Sequence, residues 1–191
     1  MNLKFNETIF NKFAVLETER LVFRQFHKKD AAQLFKIRSN PQVMEFMDAI
    51  ILKSEDGAKV LLKSFHHEFR DKKGITWAIT DKQTNLLIGS FGFWRLTKAH
   101  NRAEIGYSLL PEYWGKGLMA ETFKTLIEFG FNQMHVHSIE ANVNPQNQKS
   151  IQLLERVGFR TEAHFRENFL YKDQYLDSAI YCLIETDKRN Y

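Results

Sequence analysis

One cysteine, three prolines and no long apolar run set the first limits on this chain of 191 residues. A lone thiol, Cys182, cannot build an internal disulfide framework, and it excludes metal sites that need several thiolates. The longest uncharged stretch, residues 83–94, carries polar residues and glycines and is too short to span a bilayer. The start, Met1 to Glu7, has no apolar signal core. No Pro-rich tract, low-complexity linker or internal repeat divides the chain, so 1–191 is read as one domain. An excess of one charge is also scarce. Against 27 Lys+Arg stand 23 Asp+Glu, a net +4 that suits an anionic ligand but is weak for nucleic acid. The expectation is a soluble, cytoplasmic chain without membrane or nucleic-acid partners and without a metal; a homodimer stays open.

What is present is material for burial. Hydrophobic residues make up 43%, with 17 Phe, and charged residues 26%, which together describe a folded domain with an ordinary surface. Residues 19–26 alternate as a strand, and Asp30 is placed to cap a helix running to Arg38. Residues 54–71 read as an amphipathic helix with Val60, Leu61, Phe65 and Phe69 on one side. Residues 74–80 and 86–96 read as strands joined by a turn at Asp81–Asn85. In the next strand, Arg102–Leu110, Ala103, Ile105, Tyr107 and Leu109 share one face, and Glu104, Gly106, Ser108 and Leu110 the other. A helix follows over about 117–132 and a strand over 137–143. Asn144 is expected to cap a helix that opens at Pro145 and ends at Gly158. Strands over about 159–170 and 175–184 finish an α/β chain with a mixed, mostly antiparallel sheet flanked by helices.

The most informative segment is Pro111-Glu112-Tyr113-Trp114-Gly115-Lys116-Gly117-Leu118-Met119-Ala120, between a strand and a helix. Glycines let the backbone turn sharply and expose amide N–H groups, and the positive end of the following helix favours an anion such as a pyrophosphate. Lys116 adds a cation. A plain strand-to-helix turn would use the same glycines. A Walker A loop is excluded, because Gly117 stands where Ser or Thr must follow the lysine. Gly115-x-Gly117-x-x-Ala120 fits a dinucleotide fingerprint, with Glu140 at the distance of a ribose-binding acid. That loop would open a domain, however, whereas this one follows three antiparallel-type strands.

The run Ala103-Glu104-Ile105-Gly106-Tyr107-Ser108-Leu109-Leu110-Pro111, then Trp114-Gly115-Lys116-Gly117, resembles the fourth strand and pyrophosphate loop of the GNAT N-acetyltransferases. Thr18-Glu19-Arg20-Leu21 resembles the opening of that superfamily's RimJ/RimL-like branch. Asn144-Pro145-x-Asn147-x-x-Ser150, with Leu154 and Gly158-Phe159, is similar to its second CoA-contacting helix. The resemblance spans about residues 15–187, in family order. Met119 departs from it, standing where Gly or Ala is usual, and Lys172-Asp173-Gln174 lacks a hairpin glycine.

The resemblance implies acetyl-CoA as co-substrate, transfer to a primary amine without a covalent enzyme intermediate, and an acceptor of the ribosomal-protein N-terminal type. It places the cofactor against Ser108, Leu109 and Leu110, where a bulge would splay the strand, and against Trp114, Gly115, Lys116, Gly117, Leu118, Met119, Ala120, Asn142, Asn147 and Ser150. Acetyl transfer needs a neutral amine, a stabilised oxyanion and a protonated or tolerated thiolate. The candidate base is Glu104, with Glu167 second; plain alternatives are a cross-strand partner of Arg102 for Glu104 and an exposed strand charge for Glu167. Ser150 is the candidate proton donor, while Tyr107 is read as core. Asn147 and Ser150 also suit ordinary helix-start chemistry. His135 and His137 would share a strand face as a metal pair might, but no third ligand has suitable spacing. Residues 30–71 and 164–178 are expected to build the acceptor pocket. Two rival functions remain: an NAD- or NADP-dependent oxidoreductase using the Gly115–Ala120 loop, and a CoA-binding module without turnover.

Overall fold

The computed structural model describes residues 4–47 and 49–190; Met1–Leu3, part of the start read above, lie outside the described residues. The elements in chain order are β1 (Leu16–Glu17), β2 (Leu21–Arg24), α1 (Ala31–Ser39), α2 (Pro41–Met44), α3 (Glu55–Arg70), β3 (Ile75–Asp81) and β4 (Leu87–Thr97). There follow β5 (Arg102–Leu109), α4 (Leu118–Asn132), β6 (Ser138–Val143), α5 (Gln148–Arg156), β7 (Arg160–Tyr171) and β8 (Gln174–Ile184). The strands form one sheet in the order β1-β2-β3-β4-β5-β6-β8-β7. Every pairing is antiparallel except β5 with β6. A doubly wound dinucleotide fold requires a parallel sheet, so the rival oxidoreductase reading fails here.

The alternation along β5 explains the layering. Ala103, Ile105 and Leu109 are buried in the main core with Phe91, Phe93, Phe123, Leu126 and Ile139, which packs α4 on one sheet face. The other face carries a smaller core in which Leu34 and Ile37 of α1 and Ala58 and Leu62 of α3 meet Ala78 and Leu110. One expectation is corrected. Val60 is 67% exposed; the buried side of α3 runs through Ala58 and Leu62, because Val60 lies off that stripe at 100° per residue. The segment before residue 16, unassigned from sequence, packs Phe13 on Phe69 and Trp77 at centroid distances of 5.0 and 5.8 Å.

The base of the second face is fixed by a buried ion pair. Arg24 Nη1 and Nη2 donate to the Asp30 carboxylate at 2.7 and 2.9 Å, and the His27 backbone N–H adds a third bond at 2.6 Å. Asp30 thus ties β2 to the turn before α1.

Candidate active site at a fork in the sheet

Beta strands β5 and β6 pair only over Arg102–Glu104 with Ser138–Glu140. Beyond Glu104 they diverge, while β5 stays paired with β4 as far as Leu109. The fork therefore opens four residues before the expected bulge, and no register break marks β5 at Ser108–Leu110. Its base is held by Arg102, whose guanidinium meets the Glu140 carboxylate at 2.8 Å.

This geometry corrects the backbone groups available at the opening. The Leu110 N–H donates to the Ile88 carbonyl at 2.9 Å, which sets the antiparallel alternation: residues 110, 108 and 106 face β4, and Tyr107 and Leu109 face the fork. Ser108 is likewise spent on β4, its hydroxyl 3.0 Å from that of Ser90. Of the three residues expected to offer free N–H groups, only Leu109 does so, joined by Tyr107. The Leu109 carbonyl is taken by the Trp114 indole N–H at 2.7 Å, which draws the glycine loop against the strand end.

The loop has the shape its glycines predict. Gly115 and Gly117 have φ of 71° and 74°, left-handed values at which a side chain is strained, and open space surrounds Gly115 where a Cβ would stand. Gly117 caps α4, so the N–H groups of Leu118, Met119 and Ala120 have no partner within the helix. Leu118 is buried and Met119 packs against the main core, which leaves their backbone rather than their side chains facing the loop. Arg20, in the Thr18–Leu21 opening motif, braces this loop: Nη1 donates to the Lys116 carbonyl at 2.9 Å, and Nε to the Glu121 carboxylate at 2.7 Å.

Contacts also cross the fork. The Tyr107 hydroxyl shares a 2.5 Å hydrogen bond with Ser150 Oγ on α5, and Lys149 Nζ lies 4.5 Å over the Trp114 ring. Tyr107 does point into the core side, against Phe123 at 4.8 Å, yet its hydroxyl reaches the cleft. Burial pushes its phenol up to about 12, and the Ser150 bond pulls the other way. Lys149, in the first turn of α5, was not singled out from sequence; an exposed lysine carries no local signal. Asn147, not Asn144, caps α5, accepting the Ser150 N–H at 3.2 Å. Asn144 instead closes the preceding turn, accepting the Gln146 N–H at 2.9 Å. Asn142 is exposed on the β6 arm, on the same side as Glu140.

Glu104 sits at the apex of the fork, almost wholly buried on the face opposite Tyr107. Its partner is Arg95 of β4, Nη1 to Oε2 at 3.0 Å, rather than Arg102. Burial raises its pKa, Arg95 opposes that rise, and the nearby Glu140 adds to it. Phe91 and Phe93 are core, whereas Trp94 is 41% exposed with its indole nitrogen 3.7 Å from where a Cβ on Gly106 would lie. Glu167 does not join this cluster. It is exposed in a bulge of edge strand β7, with β8 and β6 between it and β5, and its backbone N–H is held by Asp177 at 2.9 Å. His135 and His137 precede β6 and share no strand face. The half-buried Cys182 thiol is pushed up to about 11, chiefly by burial.

The two segments expected at the acceptor side do meet: the Tyr171 hydroxyl in the β7–β8 hairpin donates to the Ala49 carbonyl at 3.0 Å. Phe165, Phe169, Leu170 and Tyr175 on that hairpin, and Ile50 and Ile51 in the loop beside Ala49, leave apolar surface exposed.

The site is thus a splayed parallel strand pair followed on each arm by a helix start. The model of an acetyltransferase (GNAT) domain matches residues 20–160. The chain belongs to the GNAT acetyltransferase family. Among its relatives, an uncharacterised N-acetyltransferase, YoaA, of Bacillus subtilis is 32% identical over 91% of this chain and 98% of that protein. The [ribosomal protein uS5]-alanine N-acetyltransferase of Escherichia coli is 27% identical over 90% of this chain and 91% of its own length. In fold, a GNAT-family acetyltransferase from Bacillus anthracis superposes with a TM-score of 0.81 at 24% identity, covering 91% of this chain and 99% of that one. A spermidine N-acetyltransferase from Vibrio cholerae, solved with CoA and spermine, superposes at 0.79 with 22% identity, covering 91% and all of that chain. This GNAT chain is thus an N-acetyltransferase of a family that uses acetyl-CoA, consistent with the RimJ/RimL-like branch. Among the described residues, no helix is long and apolar enough to cross a membrane.

Proposed function

We propose that this enzyme transfers acetyl from acetyl-CoA directly to the α-amine of a protein or peptide N-terminus, of the ribosomal-protein type, in a reducing cytoplasm. The observation that carries the reading is Glu104, a buried carboxylate at the apex of a fork whose open edge offers the Tyr107 and Leu109 N–H groups. The chain fits acetyl-CoA: the Gly115–Ala120 loop supplies open space and unpaired N–H groups for a pyrophosphate, with Lys116 and Lys149 beside it. The Asn147 side-chain amide remains available to the pantetheine arm. Bound acetyl-CoA supplies an activated acyl carbon and a thiolate leaving group.

The remaining roles fall to this chain. Glu104 takes the proton from the acceptor ammonium, directly or through one water, leaving a neutral amine. The N–H groups of Tyr107 and Leu109 stabilise the carbonyl oxygen as negative charge develops on it. Tyr107 and Ser150 hydrogen-bond the departing sulfur. The net change is one C–N bond formed, one C–S bond broken and one proton released.

The acceptor class follows from proton matching. Glu104 is a mild base, paired with Arg95. An α-ammonium, with pKa about 8, is easier for it to deprotonate than an alkylammonium at about 10.4, a difference of roughly 3 kcal/mol. The apolar hairpin surface also suits peptide side chains better than a polyamine.

The test is thiol release with acetyl-CoA against peptides beginning Ala or Ser and against spermidine, for the wild type and Glu104→Gln. The peptides are expected to be the better substrates, and Glu104→Gln to lower kcat/KM about 100-fold or more while acetyl-CoA affinity holds. Preferential turnover of spermidine would overturn the acceptor reading, and an unimpaired Glu104→Gln the base reading.

A further inference from the structure

Arg95 occupies an unusual position. The β4–β5 register is regular from Gly89↔Leu109 to Trp94↔Glu104 and then shifts before Thr97↔Arg102, so Arg95 falls in the break. Its φ is 45°, in the left-handed region that a residue with a long side chain rarely adopts. That backbone turn brings the guanidinium over the face of Trp94, 4.5 Å from the ring centroid, and Nη1 to 3.0 Å from Glu104 Oε2. The Glu104 side chain is 9% exposed and that of Arg95 63%, so a buried carboxylate is covered from the solvent side by a largely exposed cation.

Other charged groups around Glu104 do not replace it. Glu140, its register neighbour on β6, is committed to Arg102 at 2.8 Å and repels Glu104. Cys182 on β8, opposite Glu140, holds a neutral thiol. From the end of α3, Glu68, Asp71, Lys72 and Lys73 line a surface recess shared with Trp94, Arg95, Leu96 and Lys98; of these, Lys72 and Lys98 pair with Glu7 at 3.2 and 3.0 Å. Among the described residues, the direct cationic contact on the Glu104 carboxylate is Arg95.

We propose that Arg95 is a positioning residue for acetyl transfer: parked on Trp94 by its left-handed backbone, it holds the Glu104 carboxylate ionised and aimed at the incoming amine. This rests on Glu104 being the base. Arg95 touches neither substrate nor cofactor in this role; it acts through Glu104. A lysine at 95 carries the same charge but lacks the planar fork that both stacks on the indole and bonds the carboxylate.

The experiment is the pH profile of kcat/KM for a peptide acceptor, by thiol release, in the wild type, Arg95→Gly, Arg95→Lys and Glu104→Gln. Glycine accepts the positive φ, so Arg95→Gly removes the side chain without straining the backbone, and acetyl-CoA affinity reports that the fold is intact. Removing the cation raises the pKa of the base, so the acidic limb moves to higher pH. The ratio of kcat/KM at about pH 6 to that at about pH 8 is expected to fall roughly fivefold in Arg95→Gly and to recover in part in Arg95→Lys. A profile for Arg95→Gly that superimposes on the wild type, with Glu104→Gln inactive, would overturn the role of Arg95 alone. Full activity of Glu104→Gln would overturn both readings.

Discussion

The hydroxyl that bridges the fork invites a sharp test, Tyr107→Phe. With its phenol at about 12, full transfer of the Tyr107 proton to a thiolate of ordinary pKa about 8.5 would run uphill by roughly 5 kcal/mol. The contribution open to Tyr107 is therefore a hydrogen bond to the sulfur as it gains charge, with the proton arriving later from solvent or the released ammonium proton. A hydrogen bond to a charged group contributes about 1.5–3 kcal/mol, which translates into a roughly 10- to 150-fold loss of kcat on removal. The assay is thiol release at saturating acetyl-CoA and peptide, with KM for acetyl-CoA and the thermal midpoint measured alongside. Both controls should change little, because phenylalanine keeps the ring packed on Phe123 and Phe91. Ser150→Ala should cost less, since it leaves the Tyr107 hydroxyl free to donate to the sulfur. A loss beyond about 1000-fold with normal acetyl-CoA binding would mean that Tyr107 delivers the proton outright. A loss below about threefold would mean that its hydroxyl does not face the leaving group.

Two further outcomes follow from the contacts around the site. Arg20→Ala removes the brace between the Lys116 carbonyl and the Glu121 carboxylate, and should raise KM for acetyl-CoA several-fold with little change in kcat; titration calorimetry with CoA checks the affinity directly. Asp30→Asn leaves the buried Arg24 uncompensated and should lower unfolding free energy by about 3–5 kcal/mol in urea. The pH dependence at Asp30 has a definite sign. Desolvation raises its pKa, but the Arg24 and His27 bonds outweigh this and hold it below the usual value. Its contribution is thus present above about pH 4 and is lost as pH falls through the depressed folded value, so the wild type should lose more stability on acidification than Asp30→Asn.

The sequence carried the site where chemistry and local geometry coincide. Two glycines between an alternating strand and an amphipathic helix predict a left-handed loop and a bare helix start, and both occur at Gly115–Leu118. The faces of β5 were legible for the same reason, since a period of two puts Glu104 opposite Ala103 and Ile105. What alternation could not tell is how far a side chain reaches: Tyr107 is on the core face as expected, yet its hydroxyl meets Ser150, whose place depends on the swing of the β6 arm. Asn144 and Asn147 are equally good caps by residue type, and only the turn between them, closed by the Asn147 N–H on the Asn144 carbonyl at 2.8 Å, decides which one serves. The bond between Arg95 and Glu104 arises from a register break, which no residue pattern announces. Glu167 was legible as an acid on the penultimate strand but not as part of a bulge, because bulge position is set by pairing with β8.

The most direct test of the central claim is one measurement: release of CoA thiol from acetyl-CoA by the purified wild-type chain, with mass analysis of a peptide beginning Ala or Ser. The account predicts that thiol appears in step with a single acetyl group on the peptide α-amine, and that Glu104→Gln suppresses both together. Acetyl-CoA binding without thiol release, across such peptides and simple primary amines, would contradict it.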